Sequence, residues 1–240
     1  MHLLDLTLND PAENLALDEA LLEQAESQSE VVEVLRLWEP KQPMVVLGRS
    51  SPLDREVNLE YCQQYQIPIL RRCSGGATIV TGPGCLMYAV LLNYRNRAHL
   101  RMLDQAHQYV LNQLQAAIQS LDLEVRILGT SDLTFGNRKF SGNSLRCRKN
   151  NFLYHGTIIC DFDLSLVSNC LGTPQRQPAY RAGREHLEFL TRLPLPVVDL
   201  RNAFIRQWHA GETFFPWPQE LTERLAAEKY RTANWTNSVR

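Results

Sequence analysis

Arg71-Arg72-Cys73-Ser74-Gly75-Gly76-Ala77-Thr78-Ile79-Val80-Thr81-Gly82-Pro83-Gly84 is the stretch from which the rest of the chain is read. An arginine pair at the edge of an apolar strand, Ile67 to Arg72, feeds a glycine turn, and β-branched residues then resume. Glycines without Cβ let backbone N–H groups come close to a phosphate, and arginines add planar charged donors. Downstream, Gly136-Asn137-Arg138-Lys139-Phe140-Ser141-Gly142-Asn143 sets a lysine among polar residues and glycines. A lysine there can hold a carboxylate or phosphate oxygen as a point charge. Together the two segments read as a site for an acyl-adenylate. Alone, a Gly-Gly turn is usually only a turn and Lys139 a solvated hairpin residue, so the pairing carries the reading.

The 240 residues are 44% apolar, which suffices for one large domain with its own core, and we read residues 1–240 as one domain. Twenty-five basic against 26 acidic residues argue against nucleic acid or another general polyanion as partner. Met1 to Asp10 shows no basic leader, and the longest apolar run, Cys85 to Leu92, is too short to cross a bilayer, so a cytoplasmic protein without membrane attachment is expected. Six cysteines, at positions 62, 73, 85, 147, 160 and 170, form no Cys-x-x-Cys pair, which weakens zinc and thioredoxin-like readings.

Asp10-Pro11-Ala12-Glu13 opens a helix to about Gln24, with an aspartate cap and proline at its first position. Strands follow at Leu35 to Trp38 and Met44 to Gly48, then a helix from roughly Asp54 to Gln66. Strands at Thr78 to Val80 and Cys85 to Asn93, a helix from about Met102 to Ser120, and strands at Glu124 to Leu128 and Phe152 to Asp161 come next. Asp163 is expected to cap a helix ending at Cys170, and Asp199 one ending at His209; Pro218 to Lys229 suggests a last helix before a polar tail that frays. Strand runs mixed with helices, without regular βαβ alternation, predict an α+β fold of mixed, largely antiparallel sheets packed with helices, and a helical segment from about residue 197.

Several segments resemble the catalytic domain of the lipoate-protein ligase A family, within the biotin/lipoate protein ligase superfamily. They are Asn14-Leu15-Ala16-Leu17-Asp18-Glu19, Val46-Leu47-Gly48-Arg49, Arg71 to Ala77, Ser131-Asp132-Leu133, Arg138 to Asn143 and His155-Gly156-Thr157. The resemblance runs from the first helix to about Pro194 and implies a class II aminoacyl-tRNA synthetase-like fold. It implies activation of lipoate or octanoate with ATP and Mg²⁺, then transfer to a lysine of a lipoyl carrier domain, either of a 2-oxoacid dehydrogenase complex or of the glycine cleavage H protein. By resemblance Lys139 is catalytic, bridging substrate carboxylate and α-phosphate. Arg71, Arg72, Ser74, Gly75, Gly76, Ala77, Asp132, Gly142 and His155 bind substrate or adenylate, with Arg71 or Arg72 steering phosphate oxygens. Asp132 is also a candidate for Mg²⁺, His155 for orienting the loop, and strand residues such as Val46 for lining an acyl slot.

Three departures qualify the match. Ala77 stands for the usual third glycine, Thr81-Gly82 for His-Asp, and the chain has no room for the accessory C-terminal domain of longer ligases, so an accessory partner chain is a further expectation. Related enzymes transfer octanoyl groups through a cysteine thioester without ATP; here Cys73, Cys147 and Cys170 are the candidates, and the loop Leu128 to Ser131 holds no cysteine. A non-catalytic carrier-binding module is the remaining alternative. Pro178 to Arg181 and Gly183 to His186 lie beyond these motifs and read as a solvated loop or a contact for carrier or nucleotide.

Overall fold

The computed structural model describes residues 1–95, 97–173 and 177–238. Its strands are β1 (His2–Asp5), β2 (Val34–Trp38), β3 (Met44–Leu47), β4 (Ile69–Arg71), β5 (Ile79–Thr81), β6 (Cys85–Asn93), β7 (Arg126–Leu128), β8 (Asp132–Phe135), β9 (Arg138–Cys147), β10 (Asn151–Ile159) and β11 (Glu212–Thr213). The helices are α1 (Pro11–Ser27), α2 (Leu53–Glu56), α3 (Leu59–Gln64), α4 (Leu103–Gln119), α5 (Ser165–Cys170), α6 (His186–Phe189), α7 (Val197–Gln207), α8 (Gln219–Leu225) and α9 (Ala233–Thr236). An eight-stranded sheet runs β11-β1-β2-β6-β10-β9-β8-β7, parallel only where β1 meets its neighbours, and a three-stranded sheet runs β4-β3-β5. The mixed, largely antiparallel α+β expectation holds.

Strand register decides what each sheet face carries. The rows Leu37–Tyr88–Gly156 and Leu35–Val90–Tyr154 belong to one face, whose side chains pack with Val110, Leu114, Leu200 and Phe204 of α4 and α7. The rows Arg36–Ala89–His155–Ser144 and Trp38–Met87–Thr157–Gly142–Asp132 belong to the other. On that second face α1 packs through Leu17 and Leu21, and the small sheet packs through Val45, Val46 and Val80 against Trp38, Met87 and Ile159. Since both faces are covered, all nine residues of β6 are buried. The candidate residues therefore lie between the sheets, on the α1 side.

Several boundaries differ from expectation. The helix expected over 54–66 divides at Val57, which bridges to Leu171, and Asn58 then caps α3 by accepting from Tyr61 N at 3.1 Å. Asp199 does not cap α7; the helix follows Pro196 and Asp199 sits in its first turn. The last expected helix is α8 followed by a π-helical turn, Ala226–Tyr230. The tail expected to fray carries α9, capped by Thr232, and the Trp235 indole donates to the Arg71 carbonyl at 2.8 Å; residues 239 and 240 lie outside the described residues. Asp10 caps α1 as read, accepting from Ala12 N at 2.7 Å.

Candidate active site

The glycine turn is braced from within by Arg72. Its guanidinium donates to the carbonyls of Val46 at 3.2 Å, Gly75 at 3.1 Å and Ala77 at 3.0 Å, and its Nε to Ser74 Oγ at 3.1 Å. These bonds turn the loop carbonyls inward, and none of the described residues accepts from the amides of Gly75, Gly76 or Ala77. Gly76, at φ +90°, takes a conformation costly for other residues, and a Cβ on Gly48 would stand 1.8 Å from the Gly76 carbonyl oxygen. Burial lowers the Arg72 pKa to about 10, still a cation at neutral pH. Ser144 Oγ holds the loop from β9 by donating to the Gly75 carbonyl at 2.9 Å.

Arg71, expected to steer phosphate oxygens, does something else. It is fully buried, and its guanidinium donates to the carbonyls of Gly48 (2.6 Å), Ser51 (2.9 Å), Trp235 (3.1 Å) and Thr236 (2.6 Å). It ties the C-terminal helix to the loops behind the glycine turn and is absent from the cavity wall. An arginine pair on a strand places its side chains on opposite faces, so only one of the two reaches the turn.

Lys139 stands at the start of β9, after the Gly136 turn, and its ammonium lies 2.7 Å from Asp132 Oδ1 on β8. The side chain crosses Gly142, where a Cβ would be 2.8 Å from Nζ. Gly142 thus matters because it is flat, not for its amide alone. The other Asp132 oxygen accepts from Tyr180 Oη at 2.7 Å. Burial, then the Asp132 charge, push the Tyr180 phenol well up, so it remains a donor.

Each Asp132 oxygen accepts from one donor and keeps a second lone pair, and no group of three or more His, Cys, Asp or Glu among the described residues is arranged to hold a metal. The described residues therefore offer no Mg²⁺ centre built from three or more protein ligands.

His155, in the middle of β10, lies between Ser74 and α1. Nε2 is 2.6 Å from Ser74 Oγ and Nδ1 is 2.8 Å from Asp18 Oδ2. Asp18 also pairs with Arg36 at 2.5 Å, and Arg36 donates to Asn14 O at 2.7 Å and Asn14 Oδ1 at 2.9 Å. Burial raises the Asp18 pKa, but Arg36 and His155 outweigh it and hold the carboxyl below the usual range.

These groups surround a cavity of about 460 Å³. Lys139, Asp132, Gly142, Gly76, Ala77, Arg72 and His155 line it; Gly75 and Ser74 stand behind the turn. Leu15, Trp38, Val46, Ile79, Met87 and Ile159 supply its apolar wall, Val46 as expected. The segment from Gln177 to Leu190 supplies more of the wall, including Arg181, His186 and Phe189. Arg181 is 4% exposed and one guanidinium nitrogen has no partner among the described residues. The reading of a solvated loop is therefore corrected for Arg181 and His186, both buried. The signal was a Tyr180-Arg181 pair some twenty residues after β10; nothing local shows that the chain folds back over Lys139. Asp18 was not singled out from the sequence; its signal was the Asp18-Glu19 pair inside the apolar run from Leu15 to Leu22.

The cysteine candidates sit poorly for nucleophilic work. Burial pushes the thiols of Cys73 and Cys170 up to about 12, where thiolate is scarce at neutral pH. Cys147 ends β9, eight residues from Lys139, about 27 Å along an extended strand.

Residues 10–205 match the sequence model of the lipoyl protein ligase A/B catalytic domain. The chain belongs to that family. Lipoate–protein ligase 1 of Staphylococcus aureus is 26% identical over 95% of this chain and 70% of its own length. The octanoyltransferase LipM of Halalkalibacterium halodurans is 22% identical over 94% of each. Across the first five lipoate-protein ligases the chain spans between 47% and 70% of their length. Among solved structures, a lipoate-protein ligase A bound with ATP superposes with a TM-score of 0.84 at 23% identity, covering 100% of this chain and 99% of that one. The likeness establishes the lipoyl protein ligase fold, shared with a family that holds ligases and transferases alike.

Proposed function

We propose that this chain activates lipoate or octanoate with ATP to an acyl-adenylate and passes the acyl group to a lysine of a lipoyl carrier domain, of a 2-oxoacid dehydrogenase complex or the glycine cleavage H protein. The observation that carries the reading is the cavity wall on which Lys139, the amides of Gly76 and Ala77, which no described residue accepts from, and an apolar surface meet. Lys139 neutralises charge developing between carboxylate and α-phosphate, and removing such a donor costs about 10² to 10³ in rate. The amides of Gly76 and Ala77 take phosphate or acyl oxygens, and the Arg181 nitrogen with no partner among the described residues is a second cationic donor for phosphate. Burying six methylenes of an octanoyl chain against Val46, Met87 and Ile159 contributes about 5 kcal/mol. Mg²⁺ would enter with the nucleotide, held mainly by phosphate oxygens and water.

The high pKa values of Cys73 and Cys170 favour adenylation over a cysteine thioester; the LipM relative is the reason to test the other route. Mass spectrometry of an apo lipoyl domain incubated with the protein and octanoate or lipoate decides. Acylation that needs MgATP and is lost in Lys139→Ala supports the ligase. Acylation from octanoyl carrier protein without ATP would replace it with transfer, and silence in both arms points to a missing partner chain or a binding role.

A further inference from the structure

One row of the large sheet floors the cavity, and its side chains grow along it. Register aligns Asp132, Gly142, Thr157, Met87 and Trp38 on five successive strands, and all five line the cavity. From Gly142, which has no side chain, the row passes to a short threonine, then to a methionine, then to an indole. Met87 is the first long enough to close the space. Its sulfur accepts from Thr81 Oγ1 at 3.2 Å, across the gap on β5 of the small sheet, and from Thr157 Oγ1 at 3.3 Å on β10. Thr81 is fully buried and does not line the cavity, so the thioether has open space on one side and packed protein on the other. Methionine is ordinarily an adaptable side chain with three rotatable bonds, and two hydroxyl donors on its sulfur take that freedom away. Thr81 belongs to the Thr81-Gly82 pair at which the chain departs from the family's His-Asp.

Distances along this row match an acyl chain. Neighbouring strands lie about 4.8 Å apart, which puts Met87, two strands from Gly142, about 10 Å away from it. Lys139 Nζ lies over Gly142, and the carboxyl group stands there on the acyl-adenylate reading, on which this inference rests. An extended chain advances about 1.2 Å per bond, so the seven carbon–carbon bonds of an octanoyl chain cover about 8 Å and bring its last carbons against Met87. Two further methylenes need space that the thioether fills. We propose that Met87, clamped by Thr81 and Thr157, sets the length of acyl chain this slot takes, at about eight carbons. Lipoate, whose dithiolane closes within the same carbon chain, meets the same stop.

Isothermal titration calorimetry with hexanoate, octanoate, decanoate and dodecanoate, below their micellar concentrations and without nucleotide, reads the stop. In the wild type, affinity is expected to rise about fourfold per methylene, about 16-fold from hexanoate to octanoate, and to fall at decanoate. In Met87→Ala, decanoate is expected to bind more tightly than octanoate, by about 16-fold where both added methylenes are buried. Thr81→Val keeps the volume and frees the sulfur on one side. It is expected to narrow the preference for octanoate over decanoate by about fourfold or more, and it decides alone should Met87→Ala not fold. A profile in which octanoate keeps its full lead in both variants overturns the proposal, as does a wild type that binds decanoate better than octanoate or binds none of the acids. The same acids, mixed in equal amounts with MgATP and an apo lipoyl domain, give the transferred lengths by mass spectrometry and keep the two readings apart. Affinities that shift as expected while MgATP drives no acylation refute the ATP-dependent reading and leave the stop standing. ATP-driven acylation whose product lengths ignore Met87→Ala keeps the ligase and removes the stop.

Discussion

Replacing Gly142 with alanine puts a methyl group 2.8 Å from Lys139 Nζ and 2.9 Å from its Cε. Gly142 sits in the extended strand β9, paired with Thr157 on one side and Asp132 on the other, so the backbone accepts alanine without strain. The conflict is confined to the end of a flexible side chain. Ordinary contact begins at 3.4 Å and extends to 4 Å, so the ammonium is pushed back by about 1 Å, a displacement that costs about 10²-fold at a reacting centre. Stability, by contrast, should change by less than about 1 kcal/mol, since the Lys139–Asp132 pair is partly exposed and its loss costs little. For a chain of this length that is a shift in Tm of no more than about 2–4 °C. Adenylate formation, followed as hydroxamate or as the acylated carrier by mass spectrometry, is read beside thermal unfolding. In a Lys139→Ala background the methyl is left with Asp132 Oδ1 at 4.0 Å, an ordinary contact, so the second change should add no loss. Wild-type activity in Gly142→Ala, or additive losses in the double variant, would refute the role given to this glycine.

Arg71→Leu leaves the carbonyls of Gly48, Ser51, Trp235 and Thr236 without their donor, and is expected to cost at least about 3 kcal/mol in urea unfolding and to open the C-terminal helix to proteolysis; an unchanged midpoint would return Arg71 to the ligand. Asp18 titrates lower in the fold than in the unfolded chain, so its stabilising contribution is complete above about pH 4 and drains away as pH falls through the lowered folded value; the gap between wild type and Asp18→Asn should shrink on acidification, and a gap that widens would reverse the assignment. Cys73→Ala and Cys170→Ala should keep activity within a few-fold, and iodoacetamide should label neither thiol in the native protein at neutral pH; loss of all activity in either variant would favour the thioester route.

Local chemistry written in consecutive residues was readable from the chain alone. The Asp10 cap, the limits of β6 at Cys85 and Asn93, the glycine turn and the order of the site segments follow from spacing and from what glycine, proline and aspartate do to a backbone. So did the pairing of Lys139 with the glycine turn, through the resemblance of both segments to one family. Which of two adjacent arginines braces the turn was decided by strand facing, and what the other one holds was decided by residues about 165 positions away at Trp235 and Thr236. The same holds for Asp18 and His155, 137 residues apart, and for Tyr180 folding back onto Asp132. Sequence fixes which groups a segment carries. Long-range register fixes which partner a buried charge meets, because only the packed sheets exclude the water that would otherwise serve any charge equally well.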